Sequence, residues 1–387
     1  MVEVGDSPRL PDMYEDVLEE VCGYVFAALP REDQRRAGRE YVRGLILTSG
    51  RKTVRGMVTC KAAASAREQR LHHFVSRSTW SSREVRQRLM DFLLNVSRLS
   101  AWIVQPTVLK KSGVHTVGVK NEVVPCLGKQ INHQHVLASW YVGDDLMAPV
   151  DWRLVLPSEW TQDAARRRRA GIPQHVDSET PTQSAVGLIR ALPPGTASTS
   201  APPVLMDTRE THTPAILSTA VERGMPYLLR VPGSLSLTVH DGHCALPKGF
   251  AGRAQRLAQA ARPAGWAVAG LPDRRVLRLP VVVDDAHGAS RQTRLFADWS
   301  GDKGWAKLWV TDLEVDDTQI LRLAAHLELA ERTYEHVSRS LGATDYEGRS
   351  YVGWHHHMSL VSIAQAVQAL AAGAPVTARP EAQGIAP

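Results

Sequence analysis

The sequence predicts an α/β fold with a mixed sheet, and three features of its patterning carry that expectation. Residues from about Asp12 to Arg98 read as helical, β-type runs begin at Ser100, and two helical stretches then lead into a short apolar strand, PVLMD. Strands followed by helix, helix and strand is the order of an α/β core. With 387 residues, 43% hydrophobic and 22% charged, the chain can bury such a core and is expected to hold two or three structural units.

In the N-terminal stretch, Val17, Val21, Val25 and Phe26 form one apolar stripe, and Tyr41, Leu45 and Leu47 begin another. Ser81-Ser82-Arg83-Glu84 has the spacing of a capping box and opens a third helix with Val85, Leu89 and Phe92 or Leu93 facing inward. The runs AWIVQPTVL, HTVGVK and HQHVLASWYV carry the β-branched and aromatic residues of consecutive strands. A helix capped by Ser158 should then run through Arg166–Arg169 to Gly171, and another should start at Thr180-Pro181, with proline in its first turn. GTASTSAPP reads as a flexible loop before the strand that ends in Asp207. YLLRV, LSLTVH, RVLRLPVVV, RLFADW and KLWVTDL then predict a β-rich insertion, with one amphipathic helix at Gln255–Ala261. Asp316-Asp317-Thr318 caps a long helix, a second apolar helix covers about Met358–Leu370, and the tail has the composition of disorder.

The formal charge of +6 is clustered, above all at Arg166, Arg167, Arg168 and Arg169. Such clusters suit a polyanion such as DNA, or serve as a solvated helix face. Cys22, Cys60, Cys126 and Cys244 lie far apart without CxxC spacing, which argues against a zinc ribbon or disulfide scaffold and suits a reducing cytoplasm. The acidic N-terminus lacks an apolar signal region, and no apolar run is long enough to span a bilayer. A cytoplasmic, nucleoid-associated protein is expected.

Ile320, Ala324, Leu327, Glu331 and Tyr334 recur at helical spacing, which puts Glu331 on an otherwise apolar stripe. Two readings stand for it: a glutamate reaching past the stripe to an arginine or water, or a metal-ligand carboxylate fixed on a rigid helix. Together with Asp207 at a strand end and the basic surface, the second reading suggests metal-dependent phosphoryl transfer. In GDKGWAKLWV, Trp305 and Trp309 alternate with Lys303 and Lys307, as base-stacking platforms or as core residues.

Four stretches resemble DDE transposases of the IS4 superfamily, and most closely the IS701 group. They are KKSGVHTVGVKNEVVPCLGKQINHQ (110–134), PVDWRLVLPSEWTQDAARRRRAGIP (149–173), PVLMD ending at Asp207, and YEGRSYVGWHHHMSL following Glu331. The resemblance implies an RNase-H-like core, with residues 1–98 a helical DNA-binding domain and 99–226 the first part of the core. It further implies a β-rich insertion at 227–313, helices completing the core at 314–372, and a tail at 373–387. It also implies three carboxylates holding two Mg²⁺ ions, the second at Asp207 and the third at Glu331. The first falls on Gln105, within Val104-Gln105-Pro106-Thr107. Around the third acid, the expected Tyr, Arg and Lys fall on Ala324, Leu327 and Ser338.

A neutral glutamine supplies a dipole where a bridging carboxylate supplies charge, so weak Mg²⁺ binding and impaired strand transfer are expected. Double-stranded DNA is the expected partner, with a homodimer as a candidate state. Its contacts are expected from Lys110, Lys111, Lys120, Lys129, Arg166–Arg169, Trp305, Trp309, Arg349 and His357 at the start of the last helix. Three readings compete: a recruited regulator or DNA-end-binding factor, an active transposase that cuts and joins DNA with an unrecognised substitute ligand, and a DNA-independent interaction protein that keeps only the scaffold.

Overall fold

The computed structural model describes residues 12–58, 64–124, 128–193, 201–241, 246–269, 271–300 and 304–373. The loop as far as Ser200, the tail from Ala374, Lys303 and Cys60, Cys126 and Cys244 lie outside them.

In chain order the helices are α1 (Asp12–Phe26), α2 (Glu32–Leu47), α3 (Val54–Met57), α4 (Ala64–Ser76), α5 (Ser82–Val96), α6 (Ser158–Gln162) and α7 (Ala164–Ala170). They continue with α8 (Pro181–Ala191), α9 (Thr213–Glu222), α10 (Ala254–Ala261), α11 (Asp317–Thr333) and α12 (Tyr351–Ala372). The strands are β1 (Leu99–Lys110), β2 (Lys120–Val124), β3 (Lys129–Gly143), β4 (Met147–Val155), β5 (Val204–Asp207) and β6 (Tyr227–Arg230). The rest are β7 (Ser236–Val239), β8 (Ala251–Arg253), β9 (Trp266–Val268), β10 (Leu271–Asp284), β11 (Ser290–Ser300) and β12 (Lys307–Thr311). Among the described residues, no helix is long and apolar enough to cross a membrane.

These elements divide into two compact units, and β1 runs from one into the other. The first unit holds the N-terminal helices, residues 107–178 and the chain from Arg332 onward. Its centre is α12, on which Trp354, Met358, Leu360, Val361, Ile363 and Val367 are all buried. Burying each large aliphatic side chain stabilises by about 1.5–3 kcal/mol, so this helix dominates the unit's core. β3 pairs antiparallel with β2 through Lys129–His133 and with β4 through His135–Val142.

Caps fix several boundaries of this unit. Ser81 accepts from the backbone N–H of Glu84, as its spacing predicts. The helix expected to run from Ser158 to Gly171 is instead broken: Pro157 precedes α6, and Asp163 accepts from the N–H groups of Ala165 and Arg166 to start α7. α7 ends on Gly171 at φ +62°, a left-handed position suited to glycine. HTVGVK is not a strand, because Val117 and Gly118 form a turn closed by a Val119 N–H to Thr116 carbonyl bond. Gly118 sits at φ +75° with Leu154 packed where a Cβ would stand, so pairing begins only at Lys120. β4, with Ala148, Val150, Trp152 and Leu154 buried, leads directly into α6.

The second unit holds residues 100–106 and 179–331. Its sheet is mixed: the first half of β1, β5 and β6 run parallel, and β12, β11, β10, β7 and β8 follow in antiparallel pairing. Trp102, Ile103, Val104, Val204, Leu205 and Met206 fill its core. Thr180 and Gln183 close a reciprocal capping box on α8, with Pro181 in the first turn. Asp316 accepts from the N–H of Gln319 and opens α11, the helix that carries Glu331.

Candidate active site

Gln105, Asp207 and Glu331 all belong to the second unit. β1 and β5 pair as Trp102 with Val204, Ile103 with Leu205 and Val104 with Met206. Gln105 and Asp207 are the next residues on each strand after the last of these pairs. On the other side Asp207 pairs with Arg230 of β6. Neighbours in register share a face of the sheet. Asp207 and Arg230 therefore share a face at the ends of β5 and β6, and Gln105 stands in mid-β1 one residue past the last β1–β5 pair.

Asp207 is half-buried and already engaged. Arg209, two residues downstream, donates from Nε to Oδ1 and Oδ2 at 3.0 Å each, and from Nη2 to Oδ2 at 2.7 Å. The Arg209 backbone N–H adds a bond to Oδ1 at 3.1 Å, and Arg230 Nη1 stands 3.6 Å from Oδ2. The hydrogen bond to Asp207 raises the Arg209 guanidinium above its ordinary pKa, with the charges of Asp207, Glu210 and Glu331 acting in the same direction. Glu331 thus contributes to the field at the cation that grips Asp207. Neither Arg209 nor Arg230 was singled out in the sequence, though an Asp-x-Arg at a strand end carries the signal.

Gln105 Oε1 is shut away from solvent and has no hydrogen-bond partner among the described residues. A buried acceptor left unpaired costs about 1–3 kcal/mol. Glu331 itself is exposed near the end of α11, not on the buried stripe, which is formed by Ile320, Ala324 and Tyr334. Leu327 is half-buried, and Ser338 is buried and donates to Gln365 at 2.6 Å.

The two Mg²⁺ ions that the resemblance implies need converging anionic oxygens. Among the described residues, no three His, Cys, Asp or Glu side chains come together as a metal site. With both Asp207 oxygens held by Arg209 and Gln105 uncharged, the residues present do not fit a two-ion centre in this arrangement.

The expected DNA-contact residues divide by exposure. In the first unit, Lys110, Lys129, Arg166, Arg168, Arg169 and Arg349 are exposed. Arg167 is not free: its guanidinium donates to the carbonyls of Thr161, Pro173, Gln174 and Val176 and pins the segment after α7. Lys111 donates to the carbonyls of Thr344 and Tyr346, and burial pushes its ammonium down to about 8. His357 is buried rather than presented at a helix start, held between the Tyr41 hydroxyl at 2.9 Å and the Gly342 carbonyl at 2.7 Å. Its neighbour His356 stacks on Trp80 at 3.7 Å between ring centroids. In the second unit, Trp305 is 76% exposed whereas Trp309 is 2% exposed. Trp309 lies in β12 between β6 and β11, so it packs in the core and cannot serve as a stacking platform.

No curated protein matches this chain. A family model described as a DDE superfamily endonuclease matches residues 24–287, more than half of its length. That span includes Gln105 and Asp207, the parallel strand ends and most of the antiparallel strands that follow. Members of that superfamily act on DNA and typically use a divalent metal. The chain belongs to the DDE superfamily endonuclease family.

Proposed function

We propose that this chain is a DNA-binding member of the IS701 group whose cutting and joining chemistry is impaired. The observation that carries the reading is Arg209 closed over Asp207, which pairs with Arg230, while the uncharged Gln105 follows the last β1–β5 pair. A guanidinium and a dication compete for the same two oxygens. Two divalent ions bring four positive charges, and at about 4 Å each added like-charge contact costs several kcal/mol even at an effective dielectric near 20. The uncharged Gln105 offsets none of this.

The parallel β1–β5–β6 row, with Glu331 on a later helix, supports an RNase-H-like core. The antiparallel strands between Asp207 and Glu331 support the β-rich insertion. Exposed Lys110, Lys129, Arg166, Arg168, Arg169 and Arg349 in one unit and Trp305 in the other supply phosphate and base contacts. A protein that holds duplex without cutting it serves as a regulator or end-binding factor.

Two measurements test this together. Duplex binding should weaken steeply with salt, as several phosphate contacts require. Plasmid incubated with Mg²⁺ or Mn²⁺ should stay intact, with natural protein and Glu331→Ala giving the same background. Metal-dependent nicking that Glu331→Ala abolishes would establish an active transposase instead.

A further inference from the structure

A cleft of about 420 Å³ opens in the first unit, walled by the turn before β2, by α6 and α7, and by Arg349. Its floor is Trp160, buried and fixed by an Nε1–H bond to the Val119 carbonyl at 2.9 Å. The Arg166 guanidinium lies over that indole, 5.3 Å from the ring centroid, and the Asp163 cap fixes the Arg166 backbone. Arg169 and Arg349 also line the cleft, and among the described residues no ion pair engages either. Lys120 lines it too, but its ammonium is held by Glu122 at 2.6 Å. Exposed Glu159 is the carboxylate of the lining, Asp163 beside the cleft acts on Arg166 and Arg169, and Val114, Val119 and Ala170 supply apolar wall.

We propose that this cleft takes a single nucleotide, with its phosphate on Arg169 and Arg349 and its base against the Arg166–Trp160 pair. Planar guanidinium forks match phosphate oxygens two at a time, and an arginine plane laid on an aromatic ring is a platform for a nucleobase. The volume lies within the range of about 300–1,000 Å³ typical of small-ligand clefts, which admits one nucleotide and excludes a duplex. A lone phosphate would leave the apolar wall uncovered. An acidic peptide would meet Glu159 as a like charge, whereas the exocyclic amine of adenine, cytosine or guanine meets it as a donor. The inference rests on the DNA-binding reading above for its source, a nucleotide unpaired at the end of a strand.

The test uses the full chain, fluorescence anisotropy and two labelled duplexes of one sequence, one blunt and one with a four-adenine 5′ overhang. Natural protein should bind the overhang at least fivefold more tightly. The double variant Arg169→Ala/Arg349→Ala should lose that preference, binding both duplexes equally at the weaker level that its remaining phosphate contacts support. Both arginines are exposed, and unchanged far-ultraviolet dichroism will confirm that the variant folds. Calorimetry with dAMP separates the sources. Binding of dAMP that the double variant abolishes, without an overhang preference, assigns the cleft to free nucleotides. Equal affinity for both duplexes together with no dAMP binding overturns the cleft while the DNA-binding reading stands. Failure to bind either duplex, with dAMP still captured by the natural protein, overturns that reading and leaves the cleft.

Discussion

Arg209 closes on Asp207 with three side-chain hydrogen bonds, Nε reaching both carboxylate oxygens at 3.0 Å and Nη2 reaching Oδ2 at 2.7 Å. The contact is local, spanning two residues at the end of β5, so it forms wherever that strand end forms. It places a permanent cation at the carboxylate proposed as a metal ligand. Arg209→Ala combined with Gln105→Asp removes that cation and adds a charge beside Asp207. Mn²⁺ affinity measured by electron paramagnetic resonance should rise at least tenfold in the double variant. An unchanged affinity would show that Arg209 does not compete with the ion.

Trp305 and Trp309 should separate cleanly. Trp309→Ala empties a core position and should destabilise by about 3–5 kcal/mol in urea unfolding. Trp305→Ala should leave stability within about 0.5 kcal/mol and weaken binding of a duplex carrying unpaired bases.

Two neighbouring arginines should behave in opposite ways. Arg167→Ala removes its bonds to four carbonyls, of which that of Pro173 keeps the Val176 N–H, and should cost roughly 2 kcal/mol, read as a lower unfolding midpoint. Arg168→Ala, at an exposed position on the same helix, should leave that midpoint alone. It should lower the salt slope of duplex binding by about one.

Acid should loosen the first unit through its histidines. Burial holds His357 down to about 4, with the nearby Lys111 charge acting in the same direction and the Gly342 carbonyl and Asp345 opposing. His355 is pushed well below its ordinary value, first by burial and then by Arg86. The folded pKa is below the unfolded value of about 6.5, so between these limits the unfolded chain binds more protons. The contribution is complete above about pH 6.5 and is lost as pH falls toward 4, on the order of 3 kcal/mol for His357. Urea midpoints at pH 7 and pH 4.5 should differ accordingly, and His357→Gln should shrink the difference.

Capped helices were legible because caps are local chemistry: Ser81, Thr180 and Asp316 each bond to a backbone N–H three residues on. The longer strands of the second unit were legible from their β-branched runs, whereas β8 and β9, three residues each, were too short to carry a pattern. HTVGVK misled because its alternation mimics a strand while Gly118 adopts a left-handed turn. Trp309 misled because β12 is flanked on both sides: Leu308, Trp309 and Val310 are all buried, so alternation there has no solvent face to mark. Glu331 was placed on an apolar stripe, yet α11 turns it outward near its end, and helical spacing alone cannot say where packing stops. Arg209 escaped notice because a search for acids does not weigh the cation that neutralises one.

Calorimetric titration of the natural protein with Mn²⁺ is the most direct test of the impaired pocket. The arrangement at Asp207 predicts no two-ion binding, and the same weak heat from Asp207→Ala. Two ions per chain, both lost on Asp207→Ala, would contradict it.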